Sequence, residues 1–174
     1  VGVTRIDTTA SIEVSSDGPE RTAELAGTLA DLVEVGDLLV LTGDLGAGKT
    51  RFTQGLGRGL DIDRRITSPT FTLANRYQGR LLLHHLDVYR LDSVVETLDL
   101  DLPDLLDSGV TVIEWGDQIS EVLPSDHLVV ALRYPEPVND HLDSDRIIEF
   151  TAHGRSWVDR LGRFGSDIGL EVGS

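Results

Sequence analysis

Cysteine is absent from all 174 residues. That removes disulfide frameworks, thiolate zinc or iron–sulfur sites and cysteine catalysis from consideration. No apolar run approaches the ~20 residues needed to span a bilayer. The opening stretch VGVTRIDTTASIEV lacks the apolar segment of a secretory signal, and a start on Val rather than Met reads as trimmed or processed. Positive charge is scarce as well: 15 Lys and Arg stand against 30 Asp and Glu, for a net charge of −15. Such a chain opposes free nucleic acid and anionic membranes, so any role on nucleic acid has to run through a local basic patch or a partner protein. Among the cations, lysine occurs once, at Lys49, against fourteen arginines. These absences describe a cytoplasmic chain forming one domain over 1–174, since roughly 150 residues make a domain and one of this size buries about 70% of its unfolded surface without a staple.

The pattern along the chain alternates strands and helices. Residues 11–15 read as a strand, and Ser16–Asp17 before Pro19 reads as a helix start with Asp17 as cap. Ala23, Ala26, Leu29, Ala30 and Val33 keep helical spacing up to Gly36. Asp37–Leu41 has the form of a buried strand, and a second helix is predicted over Lys49–Leu60. Phe71–Tyr77 and Arg80–Asp87 read as an antiparallel hairpin with a tight turn at Gln78–Gly79. Ser93–Leu98 and Pro103–Leu106 suggest short helices, and Val110–Glu114 a strand. His127–Tyr134 and Arg146–Thr151 form a second expected hairpin, followed by a helix over 156–163. Residues 1–10 and 165–174 are expected to fray. The pattern predicts an α/β fold with a parallel core and antiparallel additions.

Between the second strand and second helix stands Gly43-Asp44-Leu45-Gly46-Ala47-Gly48-Lys49-Thr50, which fits G-x-x-x-x-G-K-[ST], the P-loop. Its residue types follow from its task. Successive backbone N–H groups point at phosphate oxygens, which needs glycine where a Cβ would obstruct. The following helix offers its free N–H groups and positive dipole end to the same anion. Lys49 suits the β- and γ-phosphates of ATP, and the Thr50 hydroxyl suits Mg²⁺. A chain that otherwise uses Arg keeps Lys where a compact ammonium is needed.

A P-loop also needs an acid for the metal. Asp87 ends one apolar strand and Glu114 another, where ligands collect in open α/β sheets. Strand-end carboxylates are often only solvated turn residues. Within a P-loop protein, the shorter Asp87 suits the metal side and the longer Glu114 suits orienting or deprotonating the attacking water. Thr67-Ser68-Pro69-Thr70-Phe71 is either a self-capped loop or a segment that senses the γ-phosphate. His84 and His85 point to opposite faces of a strand, so only His85 shares a face with Asp87. Trp115 is either a core aromatic or a packing surface for a base. Residues 49–65 carry five basic side chains against two acidic ones, whereas 87–107 carry one against seven. Both are either solvated faces or interaction surfaces.

With those residues assembled, the chain resembles the TsaE (YjeE) family over roughly 17–155. The motifs occur in order: GDLGAGKT at 43–50, TSPTF at 67–71, H-x-D-x-Y-R as His85, Asp87, Tyr89 and Arg90, and I-E-W as Ile113, Glu114 and Trp115. The resemblance implies a P-loop NTPase-like three-layer fold with a mixed sheet, and a weak, partner-dependent ATPase acting with ATP/ADP and Mg²⁺. It implies work with TsaB and TsaD in threonylcarbamoyl modification of tRNA adenosine, reaching tRNA only through that complex. It makes Lys49, Glu114, Thr67 and Ser68 the catalytic candidates, and Thr50, Asp87 and Glu114 the metal candidates. The 43–50 loop, Arg51 and Trp115 become the nucleotide contacts; Arg51 stands where the family commonly has a second Thr. A small-molecule P-loop kinase remains an alternative, as does an assembly factor whose hydrolysis only times dissociation. A GTPase would need an N-K-x-D element, and the only lysine is already in the loop.

Overall fold

A computed structural model describes residues 9–69, 72–89, 101–135 and 145–170. Seven strands form one sheet: β1 (Thr9–Ser16), β2 (Leu38–Thr42), β3 (Ala74–Gln78), β4 (Leu82–Asp87), β5 (Val110–Glu114), β6 (His127–Arg133) and β7 (Arg146–His153). Their order is β1-β7-β6-β2-β5-β4-β3. The central four strands are parallel, while β3 pairs antiparallel with β4 at one edge and β7 and β1 pair antiparallel beyond β6.

Helices α1 (Pro19–Ala30), α2 (Lys49–Gly59) and α4 (Arg155–Asp167) cover one face. The short α3 (Leu102–Ser108) and a 3-10 stretch over Gly116–Val122 lie on the other. Alternation in β2 separates the two cores, with Leu39 and Leu41 packing toward α1 and α2 while Leu38 and Val40 join Ile113, Leu86 and Ile119 on the opposite side. The larger core is filled by Phe52, Leu56, Phe150, Trp157 and Phe164, each contributing about 1.5–3 kcal/mol on burial. This is the mixed-sheet, three-layer arrangement expected.

A buried ion pair fastens the last helix. Arg160 grips Asp37 with two bonds of 2.5 and 2.7 Å, donates to the Leu32 carbonyl at 3.0 Å and lies 3.9 Å over the Trp157 ring. Asp37 opens the approach to β2, so α4 is held to the strand that leads to the glycine loop.

Several boundaries differ from the sequence reading. The cap of α1 is Gly18 rather than Asp17; the nearby Ser16 hydroxyl donates to the Gly18 carbonyl at 2.8 Å and bonds Thr22 Oγ1 at 2.9 Å. The helix ends at Ala30, because Leu32 and Val33 belong to the turn that feeds β2. The hairpin turn runs over residues 79–81, not Gln78–Gly79, since Gln78 pairs with Leu82 and the Arg80 N–H donates to Leu60 O at 2.6 Å. Docking against the end of α2 thus sets a longer turn than local propensity suggests. β3 starts at Ala74, after a turn at residues 72 and 73. β1 begins at Thr9 and α4 continues to Asp167, so tertiary pairing orders stretches expected to fray. The helix expected over Ser93–Leu98, together with Thr70, Phe71 and Arg90, lies outside the described residues. Among the described residues, no helix is long and apolar enough to cross a membrane.

Candidate functional site

The sheet topology brings the motifs together. β2, β5 and β4 are adjacent and parallel, with Leu41 in register with Glu114 and Glu114 in register with Asp87. The loop leaving β2 and both acids therefore stand along one edge, at the carboxyl ends of the strands.

The chain leaves β2 at Gly43, whose φ is +135°. A Cβ there would drive into the Leu132 carbonyl and stand 3.2 Å from the Ala47 Cβ. Only glycine lets the loop fold this tightly over β6. Gly48, also left-handed, caps α2 without any side-chain bond, leaving the first helical N–H groups for a ligand. The loop is braced from outside by Arg146 at the start of β7, which donates to Ala47 O at 3.0 Å and Gly46 O at 3.2 Å and lies 4.0 Å over the Tyr134 ring.

Lys49 curls back over this loop. Its Nζ donates to Gly43 O at 2.6 Å and Asp44 O at 3.0 Å, and sits 3.8 Å over the Trp115 ring. Burial pushes its ammonium below the usual lysine value, opposed by the carboxylates of Glu114, Asp87, Asp117 and Asp44. Trp115 holds φ +62°, a conformation rare for a bulky residue. It is fixed by its N–H on Leu41 O at 2.9 Å and by the Tyr89 ring at 4.8 Å. Strain of this kind persists where surroundings over-determine it, often at functional sites.

The acids are buried and engaged. Glu114 Oε1 accepts the Thr50 hydroxyl at 3.0 Å and faces His85 Nε2 at 2.7 Å. Against a carboxylate oxygen Nε2 is the donor, which sets the tautomer, and buried Nδ1 has no hydrogen-bond partner among the described residues. Asp87 Oδ1 accepts the Tyr89 N–H at 3.0 Å. His84 points to the other face and bonds Ser108 Oγ at 2.9 Å.

A cavity of about 370 Å³ gathers Leu45, Gly46, Gly48, Lys49, Thr50, Arg51, Ser68, Asp87, Glu114 and Trp115. A second cavity, about 460 Å³, lies along Gly46, Ala47 and Gly48 with Arg51, Arg146, Pro19 and Thr22. The structure does not bring Thr67 into either one. Its backbone is held by the Tyr77 hydroxyl, with Thr67 N–H donating at 3.3 Å, and the residue is exposed. Asp44 is likewise exposed at the loop tip and contributes its carbonyl to Lys49 rather than its carboxylate to the cavity.

Sequence reasoning did not select two participants. His85 carried a signal, the two-residue spacing that sets it on the face of Asp87. Arg146 carried none, because it reaches the loop only through the β6–β7 pairing. For a metal, Thr50, Asp87 and Glu114 offer hard oxygen donors of the kind magnesium takes, usually one or two from protein with the rest from phosphate and water. No group of three or more His, Cys, Asp or Glu able to hold a metal by itself occurs among the described residues.

Comparison with known proteins agrees with this geometry. The family model described as threonylcarbamoyl adenosine biosynthesis protein TsaE matches residues 16–142. The tRNA threonylcarbamoyladenosine biosynthesis protein TsaE of Bacillus subtilis is 41% identical over 140 residues, covering 80% of this chain and 84% of that protein. Its counterpart in Treponema pallidum is 44% identical over 119 residues, covering 68% and 88%. The crystal structure of Bacillus subtilis YdiB superposes with a TM-score of 0.78 at 32% identity, covering 92% of this chain and 98% of that one. With the glycine loop, both strand-end acids and Trp115 assembled at one sheet edge inside the matched span, the chain belongs to the TsaE family.

Proposed function

We propose that the chain is a magnesium-dependent ATPase that serves tRNA threonylcarbamoyladenosine biosynthesis, the role its family carries. The observation that supports this reading best is the Thr50–Glu114 bond at 3.0 Å, which puts the loop hydroxyl and the strand-end acid on one cavity with Lys49, Ser68 and Asp87.

In this reading the N–H groups of 43–50 bind the phosphates, and Lys49 exchanges its carbonyl contacts for phosphate oxygens. Thr50 and Asp87 would hold the metal, which would supply charge neutralisation to the bound phosphates. Glu114 orients and deprotonates the attacking water, with His85 keeping its carboxylate in place. Ser68 lines the γ-phosphate side and Thr67 continues that loop; Trp115 packs beside Lys49, and Arg51 flanks the nucleotide. The partners are TsaB and TsaD, and tRNA is met through them.

The test is ATP turnover with and without purified TsaB–TsaD and tRNA, following phosphate release separately from phosphoryl transfer to any acceptor. Slow hydrolysis that rises with the partners is expected. Transfer to a small acceptor without net phosphate release would refute the reading in favour of a kinase.

A further inference from the structure

A third concavity, about 320 Å³, opens beside α2 and concentrates positive charge in a chain that has little. Arg51 and Arg58 line it from the helix, and Arg64 and Arg65 from the loop that follows. Four of fifteen Lys and Arg residues thus share one cleft.

The loop is constructed to present them. Ile62 and Ile66 are buried against α2, and Gly57 admits Ile66 so closely that a Cβ there would collide with its side chain. Gln54 Nε2 donates to Ile66 O at 2.9 Å, and the Ile62 N–H donates to Gly57 O at 3.0 Å. With both isoleucines anchored inward, Arg64 and Arg65 between them are exposed.

Among the described residues, three of these guanidinium groups make few contacts within the chain. Arg65 has no hydrogen bond or ion pair among the described residues. Arg64 has only the Tyr77 ring among the described residues, at 5.7 Å. Arg58 faces Glu20 at 3.9 Å in an exposed pair, a contact worth little. Arg51, by contrast, is engaged with Glu20, Gln54 and Pro19 O, and it lines the nucleotide cavity too.

We infer that this arginine cleft is the face on which the chain docks an acidic segment of a partner protein, seated against the nucleotide site through Arg51. The inference rests on the reading that the chain works with protein partners. Protein carboxylates fit better than an RNA backbone for two reasons. The chain as a whole, at −15, repels a polyanion. The cleft is one concavity interrupted by Asp63 rather than a track that could follow successive phosphates. Arginine is also the cation enriched at protein interfaces and fitted to paired contacts with carboxylates.

The experiment titrates the full chain and its Arg58→Glu/Arg64→Glu/Arg65→Glu variant with the TsaB–TsaD complex at low and high salt, and in parallel with a fluorescent ATP analogue and with tRNA alone. The variant should lose about tenfold or more in partner affinity at low salt, with the gap narrowing as salt screens the charges. Its nucleotide affinity should stay unchanged, which also reports an intact fold. An Arg→Gln triple variant should show a smaller loss in the same direction. Equal partner affinity in parent and variant would overturn the cleft while leaving the partner reading standing. No association of the parent chain would overturn the partner reading itself, and the named occupant with it. Loss of tRNA binding with partner binding retained would overturn the choice of a protein ligand.

Discussion

Replacing Glu114 in two ways separates its chemical task from its structural one. In Glu114→Gln the amide oxygen can occupy the Oε1 position and still accept from Thr50 and His85, now at 3.0 and 2.7 Å. The fold and the nucleotide cradle should survive, while the base is gone. Hydrolysis should then fall about 10²–10⁴-fold, or roughly 3–5 kcal/mol of barrier at 1.36 kcal/mol per decade. Glu114→Ala adds a second cost. Thr50 is only half-buried, so water can take over its hydroxyl, but His85 is fully buried and would keep an unpaired Nε2–H. An orphaned buried donor costs about 1–3 kcal/mol, which in a domain of this size lowers Tm by roughly 2–12 °C. The assays are steady-state phosphate release, nucleotide affinity and thermal melting on both variants. Hydrolysis within about twofold of the parent in Glu114→Gln would refute the base assignment. A melting temperature unchanged in Glu114→Ala would refute the claim that His85 depends on this carboxylate.

Three further outcomes are expected. Lys49→Ala should abolish Mg-ATP hydrolysis with the fold kept, whereas Gly43→Ala should lose nucleotide affinity and also some stability, because its positive φ and the Leu132 carbonyl both resist a Cβ; circular dichroism with nucleotide titration distinguishes the two. Asp87→Asn should weaken the magnesium dependence of nucleotide binding more than binding in the absence of metal, measured by titration with and without Mg²⁺. Acidification should destabilise the chain through two histidines, His84 and His127. Burial, with Arg76 beside it, holds His84 below the usual value, and burial does the same to His127 against the Pro124 carbonyl. The unfolded chain therefore takes up protons first, and this contribution to stability falls as pH drops below about 6.5. Urea midpoints between pH 7.5 and 5.5 should decline more steeply for the parent than for His84→Gln/His127→Gln, and equal slopes would count against the account.

What could be read from sequence was local or short in range. The strand–loop–helix unit at 38–59 is written in contiguous residues, glycine placement included, and the structure keeps it with shifts of one residue at each end. Asp87 and Glu114 were legible because each closes an apolar run. Their adjacency depended on β4 and β5 being parallel neighbours, a strand order that the sequence reading did not include and the register shows. The features that escaped are long in sequence separation. Arg146 meets the glycine loop across about a hundred residues, and Arg160 meets Asp37 across 123. The motif that joins Thr67 to Ser68 likewise gave no sign that the Thr67 N–H donates to the Tyr77 hydroxyl, ten residues on. Periodicity does not report contacts made by the far side of a sheet.

The pairing of β1 with β7 bears on how the chain acquires its shape during synthesis. Thr9 lies opposite His153 and Ser16 opposite Arg146, so β1 waits for β7, the last of the seven described strands. At the sheet's edge it has no other strand neighbour among the described residues. A nascent chain can complete β2, α2 and the β3–β4 hairpin from local contacts while β1 is still unpaired, and pairing of such separation closes slowly. By the same argument the β7–β1 wing pairs later than the β3–β4 hairpin, whose strands are neighbours in sequence. Arg146, which opens β7, arrives with it, so the glycine loop gains its outer brace only when the wing is in place. A chain cut before β7 would carry the whole glycine motif yet lack Arg146, the residue that braces its loop from outside.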